Sequence, residues 1–327
     1  MQELPYDLTI VTVCRNALSL LPRCISSVQP VYQSALRVEH LLVDGASTDG
    51  SASYLWCQQQ AGRITRYISE PDAGLYHAMN KAISMSRGKV VVFINADDEF
   101  CPGIAEMCCA PILRGEAAYV VASALCVNGK KTRVMRPRTK MTLWRQPYCH
   151  QSMFCSRVLL QKMNGFDAER FPIGADTDLM RRLYVAKIPC VEIPVIAARF
   201  HMGGVSSTPA TYRDVYELLL KFEDACCSEI RKYPSVACEV VKYMRRYANK
   251  KIMLENMPAL QGGDVHRLVH FVREIGNSLP PQRRMFLKMQ VYLQRVWYFV
   301  LSMCCSGRKS LSAALNNKIC GLITQNL

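Results

Sequence analysis

Four runs of β-branched and apolar residues, each leading into a polar turn or a segment of helical periodicity, fill the first hundred positions and restrict the fold to a small set. Residues 8–14 form the first run, and residues 16–29 follow as an amphipathic helix carrying Leu18, Leu20, Leu21, Cys24 and Val28 on one face. Residues 38–43 make a second strand. The turn after it, Asp44-Gly45-Ala46-Ser47-Thr48-Asp49-Gly50-Ser51, is rich in glycine and short polar side chains and opens another helix. Residues 64–68 make a third, short strand, and a helix over 75–86 returns the chain to a fourth strand over 89–95. Strands separated by helical crossovers predict an α/β fold with a largely parallel sheet and right-handed connections. Such sheets bind ligands beyond the carboxyl ends of their strands, where Asp44 and Asp97 both fall.

Half of the 327 residues are apolar, enough for one large domain and an appendage. The formal charge of +15 calls for an anionic partner, and nucleic acid, acidic lipid and sugar nucleotide all satisfy it. The sixteen cysteines include no Cys-x-x-Cys; Cys108-Cys109, Cys226-Cys227 and Cys304-Cys305 are adjacent pairs whose spacing does not suit zinc, so buried thiols are expected. Residues 1–6 are polar and run straight into the first strand without the apolar stretch of a secretion signal. A reducing, cytoplasmic setting is therefore expected.

Within this frame the acids carry the chemistry. The apolar run from Val90 to Ile94 ends in Asn95-Ala96-Asp97-Asp98-Glu99, and an acidic pair at the open end of a buried strand is where an α/β enzyme holds a divalent metal against a phosphorylated ligand. The plain alternative is a solvated strand end. Asp44 closes the second strand and precedes Gly45, which lets a planar ring approach the backbone, so its carboxylate is placed to accept the imide proton of a uracil or thymine. Asp49, in the same turn, reads as a helix cap. No Gly-x-Gly-x-x-Gly and no Walker-type loop accompanies the first strand, which argues against dinucleotide dehydrogenases and P-loop phosphotransferases. Farther on, Ile173-Gly174-Ala175-Asp176-Thr177-Asp178 is a glycine turn opening an amphipathic helix, and both aspartates stand in its first turn. Capping and dipole stabilisation compete there with a catalytic role.

Several blocks stand in one order and spacing: the first strand with Arg15-Asn16, the turn over 43–51, Ser69-Glu70-Pro71-Asp72-Ala73-Gly74-Leu75-Tyr76-His77-Ala78-Met79-Asn80-Lys81-Ala82-Ile83, Asn95-Ala96-Asp97-Asp98, His150-Gln151-Ser152, Gly165-Phe166-Asp167, residues 174–179 and residues 200–206. Together, over about residues 7–207, they resemble the inverting family 2 glycosyltransferases of GT-A fold that build bacterial surface polysaccharides such as O-antigen, lipopolysaccharide, capsule and exopolysaccharide. The resemblance implies a nucleotide-sugar donor, UDP-linked or similar, and a divalent metal, Mn²⁺ or Mg²⁺. It places Thr12, Asn16, Asp44, Asp72, Asn80, Lys81, Asn95, Ala96 and Asp97 on the donor, Asp97, Asp98 and His201 at the metal, and Asp176 at the catalytic base. Two positions depart from the family pattern. Asn95 stands where a carboxylate is usual, and Mg²⁺ or Mn²⁺ is then held by one carboxylate together with diphosphate oxygens and water. His77 stands where relatives usually carry Asp, with Lys81 one turn on. Glycosyl transfer needs charge neutralisation on the leaving diphosphate and proton removal from the attacking hydroxyl. A base on the face opposite the diphosphate implies in-line displacement, so an α-linked donor gives a β-linked product.

His150-Gln151-Ser152 resembles the family segment lining the acceptor side; a satisfied buried histidine is an equal reading for His150. Lys130-Lys131-Thr132-Arg133, with Arg136, Arg138 and Lys140, makes a basic stretch that reads as a solvated hairpin or as a contact surface for a lipid-linked diphosphate acceptor. The expected division is a catalytic domain over 1–207, with a nucleotide-sugar half to about residue 100, and a helical, basic extension over 208–327. Helices are expected over 212–229, 234–256 and 264–277. From Ile275 onward there are seven Lys or Arg and no acid, and on a helix Arg284, Lys288 and Arg295 lie opposite Phe286, Met289, Leu293, Trp297 and Val300. That pattern suits an anionic membrane surface, without a run long enough to cross it, or packing on the catalytic domain or a second subunit. The expectation is a cytoplasmic, membrane-peripheral glycosyltransferase acting on a lipid-linked oligosaccharide. A nucleotidyltransferase of related fold would carry a Gly-rich Arg/Lys signature that Cys14-Arg15-Asn16-Ala17 lacks, and a nucleic-acid-binding protein leaves the aspartate series unexplained.

Overall fold

The computed structural model describes residues 5–139, 143, 147–203, 214, 217–218, 221–222 and 224–225. The chain divides into two compact units, Met1–Asp214 and Val215–Leu327. The first is built on a nine-stranded sheet. Its strands β1 (Tyr6–Cys14), β2 (Val38–Asp44), β3 (Arg66–Ser69) and β4 (Gly88–Phe93) alternate with helices α1 (Leu21–Val28), α2 (Ser51–Gln60) and α3 (Leu75–Met85). They lie in the order β3-β2-β1-β4, and every pairing among them is parallel, as strands separated by helical crossovers predict.

The second half changes direction. After β5 (Glu99–Phe100), α4 (Ala105–Leu113), β6 (Tyr119–Asn128) and β7 (Lys131–Met135) come β8 (Met153–Ser156), α5 (Arg157–Lys162), α6 (Ala175–Val185) and β9 (Cys190–His201). The sheet continues β4-β8-β6-β9-β5, with β8 antiparallel to both neighbours and β9 parallel to β6. β7 folds back on β6 as the hairpin that carries the basic stretch. Val127 at the end of β6 pairs with His201 at the end of β9, so this hairpin leaves the sheet beside His201.

β2 is buried along its whole length, which explains its apolar run, yet it carries Glu39 and His40. Both are provided for. Glu39 accepts from the Thr9 hydroxyl at 2.7 Å, from the Arg87 N–H at 2.8 Å and from Arg66 Nη2 at 3.2 Å. His40 Nε2 lies 3.1 Å from Thr12 Oγ1, and burial pushes the imidazole down to about 3. Leu8, Ile10, Val90 and Val92 pack with Cys24, Cys108 and Phe154 in the larger core cluster. Ten cysteines are described and all are free thiols; burial pushes Cys24, for example, up to about 12.

The first helix starts five residues later than its apolar periodicity suggests. Asn16 sits in the left-handed region at φ 51°, and the next N–H groups are taken by the neighbouring turn: Ala17 N–H donates to Ser51 Oγ at 3.1 Å and Leu18 N–H to Asp49 Oδ2 at 3.0 Å. Among the described residues no helix is long and apolar enough to cross a membrane. The helices expected over 212–229, 234–256 and 264–277, and the basic amphipathic segment from 281, lie outside the described residues.

Candidate active site

The turn after β2 is a closed hydrogen-bond system. Asp44 has no exposed surface; its carboxylate accepts from the Ser47 N–H at 3.0 Å, from the Ser47 hydroxyl and from the Ser69 hydroxyl at 2.6 Å. Asn16 joins it from the β1 side: its N–H donates to Ser47 Oγ at 2.7 Å and its Oδ1 accepts the Thr48 N–H at 2.9 Å. Asp49 accepts the Ser51 hydroxyl and N–H at the start of α2, and the Ser51 hydroxyl holds its carboxyl below the usual range. Thr12 is fully buried, its hydroxyl on His40. A Cβ at Gly45 would meet Asp72 Oδ2 at 2.5 Å and would have to displace that carboxylate; Asp72 in turn accepts the Gly74 N–H at 3.0 Å.

Asn80 and Lys81, adjacent on α3, have different partners. Lys81 Nζ is 2.7 Å from Glu70 Oε1. Asn80 grips the far half of the domain: its Nδ2 donates to the Phe166 carbonyl at 2.7 Å and its Oδ1 accepts the Phe166 N–H at 2.8 Å. Gly165, at φ +58°, leaves the space this grip needs, since a Cβ there would lie 2.3 Å from Asn80 Oδ1. His77 Nε2 lies 3.7 Å from Glu169 Oε1.

Beyond β4 the acidic pair separates into two environments. Asp98 has no exposed surface, and its oxygens accept the Gln151 amide at 2.6 Å and the His201 N–H at 2.8 Å. Burial, and then the charge of Asp97 beside it, push Asp98 up to about 7. Among the described residues the Asp97 carboxylate has no hydrogen bond or ion pair, while its main-chain carbonyl is engaged by Arg23 Nη2 at 2.6 Å. Asn95 Oδ1 is buried without a partner, and Ala96 packs with Ala17, Leu21 and Ile25. The His201 imidazole is 2.8 Å from Glu99 Oε1, which Arg23 also approaches at 3.7 Å. Of the three side chains expected at the metal, Asp98 and His201 thus have partners of their own and Asp97 has none, and among the described residues no group of three His, Cys, Asp or Glu is arranged to hold a cation. What fits is a cation held by the free Asp97 carboxylate and completed by ligand oxygens.

Asp176 opens α6, and the first turn of this helix is buried. Its Oδ2 lies 3.2 Å from His150 Nδ1, and its Oδ1 accepts the Thr177 N–H at 2.6 Å and approaches the Thr177 hydroxyl at 3.3 Å. Burial alone would raise this carboxyl, but the His150 bond and charge, the Thr177 N–H and the Tyr76 hydroxyl outweigh it and hold Asp176 below the usual range. His150 and Asp176 line a cavity otherwise walled largely by apolar side chains, among them Val91, Phe93, Met153 and Phe166. Two positions on, Asp178 pairs with Arg182 at 2.7 Å, and Arg182 Nη2 straps the Gly165 carbonyl at 2.6 Å.

His150, Gln151 and Ser152 form one 3-10 turn. With three residues per turn, successive side chains diverge by roughly 120°. His150 therefore reaches Asp176 while Gln151 reaches Asp98, and one turn positions an acid on each side of it. The sequence pattern singled out this segment without assigning Gln151 its carboxylate. It offered no signal for Asp214, a buried residue past the resemblance whose Oδ2 accepts the Ile173 and Gly174 N–H groups at 2.8 and 2.7 Å and so fixes the entry to α6.

Residues 9–166 match Glycosyl transferase family 2. An uncharacterized glycosyltransferase of Mycobacterium tuberculosis is 28% identical over 206 residues, covering 61% of this chain and 76% of that protein. A PGL/p-HBAD biosynthesis glycosyltransferase of the same species is 25% identical over 213 residues, covering 61% of this chain and 79% of that one. Among solved structures, residues 1–349 of S. aureus TarS in complex with UDP-GlcNAc resemble the chain with a TM-score of 0.60 at 12% identity, over 98% of this chain and 90% of that one. At that identity the likeness concerns the fold. The mixed sheet with its parallel first half and the match over residues 9–166 lead to one assignment: this stretch matches a glycosyl transferase family 2 domain and has the GT-A fold.

Proposed function

We propose that the protein transfers a sugar from a nucleoside diphosphate donor, UDP-linked or similar, to a hydroxyl of a lipid-linked saccharide, with inversion at the anomeric carbon. The observation that carries this reading is the turn over 150–152, which ties Asp98, next to the free Asp97 carboxylate, to the same short segment as Asp176. One acid side faces a leaving diphosphate and the other the attacking hydroxyl. Asp97 would hold a divalent cation with the diphosphate oxygens; such a cation, when bound, neutralises the charge that develops as the diphosphate leaves. Asp98, clamped by Gln151 and the His201 N–H, fixes the loop from which Asp97 projects. The Asp44–Ser47–Asn16 system shapes the turn that would take the base. Removal of the acceptor proton rests with Asp176 and the imidazole bonded to it.

For the acceptor, the supporting observation is charge. No acid occurs between Glu116 and Asp167, and Lys130, Lys131, Arg133, Arg136 and Arg138 are exposed on and after the hairpin that leaves the sheet beside His201. A diphosphate-linked lipid saccharide presents the complementary charge, and a similar chain carries the name of a PGL/p-HBAD biosynthesis glycosyltransferase. The test is a thermal-shift panel of UDP-, GDP- and dTDP-sugars with and without Mn²⁺. One nucleotide sugar should raise the melting temperature of the wild type, with Mn²⁺ enhancing the shift, and Asp97→Ala should abolish the Mn²⁺ enhancement. If no nucleotide sugar stabilises the wild type, the reading is wrong.

A further inference from the structure

The β6–β7 hairpin differs from the rest of the sheet in what it exposes. Among the described strands β7 pairs with β6 alone, and its first four residues, Lys131 to Val134, are all exposed. Lys131 and Arg133 lie on one face of the ribbon, in register with Asn128 and Cys126. Thr132 and Val134 lie on the other, in register with Val127 and Leu125. Lys130 at the tip and Arg136 and Arg138 beyond β7 are exposed as well. Among the described residues none of these five cations is in an ion pair. Apolar surface is mixed with the charge: Val134 is 42% exposed, and Met202, whose N–H donates to the Val127 carbonyl at 2.9 Å, is 52% exposed.

Charge on an edge strand keeps it from pairing with another chain, but that role asks for charge on the strand itself, and here the cations continue past it to Arg138. At about 3.4 Å per residue β7 is about 14 Å long from Lys131 to Met135, so cations on it and beyond it do not converge on one diphosphate. A plane of lipid phosphates meets them together. No Phe, Tyr or Trp occurs between Tyr119 and Trp144, so the ribbon lacks the stacking side chains of a single-strand nucleic-acid groove. Exposed valine and methionine among lysines and arginines suit a bilayer interface, where apolar side chains enter the headgroup layer and cationic ones reach its phosphates.

We propose that the β6–β7 hairpin docks on an anionic lipid bilayer through Lys130, Lys131 and Arg133, with Val134 and Met202 in the headgroup layer. Val127, at the base of the hairpin, pairs with His201, whose N–H holds Asp98. Docking there brings the loop that carries Asp97 to the membrane, so an acceptor anchored in the bilayer meets the site from the hairpin side. That consequence rests on the transferase reading given above; the docking itself stands on charge and exposure.

The experiment is co-sedimentation of the full chain, without donor or acceptor, with vesicles of phosphatidylcholine and with vesicles of a two-to-one mixture of phosphatidylcholine and phosphatidylglycerol. The wild type should bind the mixed vesicles and release them in about 1 M NaCl, where the Debye length falls to about 3 Å. Each cation near an anionic surface is worth about 5-fold in partitioning, so Lys130→Gln/Lys131→Gln/Arg133→Gln should bind about 10²-fold more weakly, with unchanged thermal melting because all three side chains are exposed. Asn128→Lys adds a charge at the exposed tip and should bind about 5-fold more tightly. In Val134→Trp the added indole should shift its emission to the blue on the mixed vesicles. Equal binding to both kinds of vesicle, a triple variant that binds like the wild type, no gain in Asn128→Lys or no shift in Val134→Trp each overturns the inference. Tighter binding of the wild type to a single-stranded RNA oligonucleotide than to the mixed vesicles also overturns it, in favour of nucleic acid. Because no nucleotide sugar is present, failure here leaves the transferase reading standing, and failure of the thermal-shift panel leaves the docking standing.

Discussion

Asn80 tests whether a polar residue in the donor-side block serves the ligand or the fold. Its two bonds to the Phe166 main chain, 2.7 and 2.8 Å long, tie α3 to the segment before α6 across 86 positions of sequence. Phe166 is buried, with its ring 5.3 Å from Phe93 and 5.2 Å from Tyr76, so water does not simply replace the amide. Asn80→Ala leaves one buried N–H and one buried carbonyl unpaired, at about 1–3 kcal/mol each and so about 2–6 kcal/mol together. For a unit of this size each kcal/mol moves the melting temperature by about 2–4 °C, so the expected loss is roughly 4–24 °C. Differential scanning calorimetry of the full chain reads it. A second variant sharpens the test. In the wild type Gly165→Ala puts a Cβ 2.3 Å from Asn80 Oδ1 on top of left-handed backbone strain, whereas in Asn80→Ala that obstacle is gone and the strain of about 1–3 kcal/mol remains with a milder 3.2 Å approach to Ile83 Cδ1. The two substitutions should therefore be strongly non-additive. An Asn80→Ala protein with wild-type melting but weakened nucleotide binding, or additive losses in the double variant, would refute the reasoning.

His40 makes stability depend on pH. Its folded value of about 3 lies below the ordinary 6.5, so the unfolded chain takes up a proton that the fold refuses; stability is complete above about pH 6.5 and falls as the pH drops toward 3. The slope is up to ~1.4 kcal/mol per pH unit, and urea midpoints of wild type and His40→Gln between pH 7 and 4 should converge toward acid; a constant offset would count against it. Gly88→Ala should destabilise by about 1–3 kcal/mol or more, because its Cβ would stand 2.4 Å from the Thr9 nitrogen of the neighbouring strand, where main chain cannot yield. Unchanged thermal melting of that variant would show that β1 and β4 have room the structure does not contain.

The first half of the fold was readable because its strands are buried on both faces and its helices keep one apolar side, so periodicity alone separates them. The start of α1 was not, because what ends the loop before it lies 31 to 34 positions away, in the side chains of Ser47, Asp49 and Ser51. Asp178 shows the same limit: its place in a first helical turn is visible, but the Arg182 that engages it also ties down Gly165, and only the tertiary structure brings the three together.

The acidic pair shows why a site's residues are easier to find than its roles. Asp97 and Asp98 are adjacent, equally placed at a strand exit and equally charged, so no local pattern ranks them. Their difference comes from what the remote turn and β9 supply. Gln151 and the His201 N–H saturate Asp98 inside the protein, and the second charge so close by makes ionising it costly there. Asp97 meets no such donor, and its carboxylate is the one left able to bind something from outside.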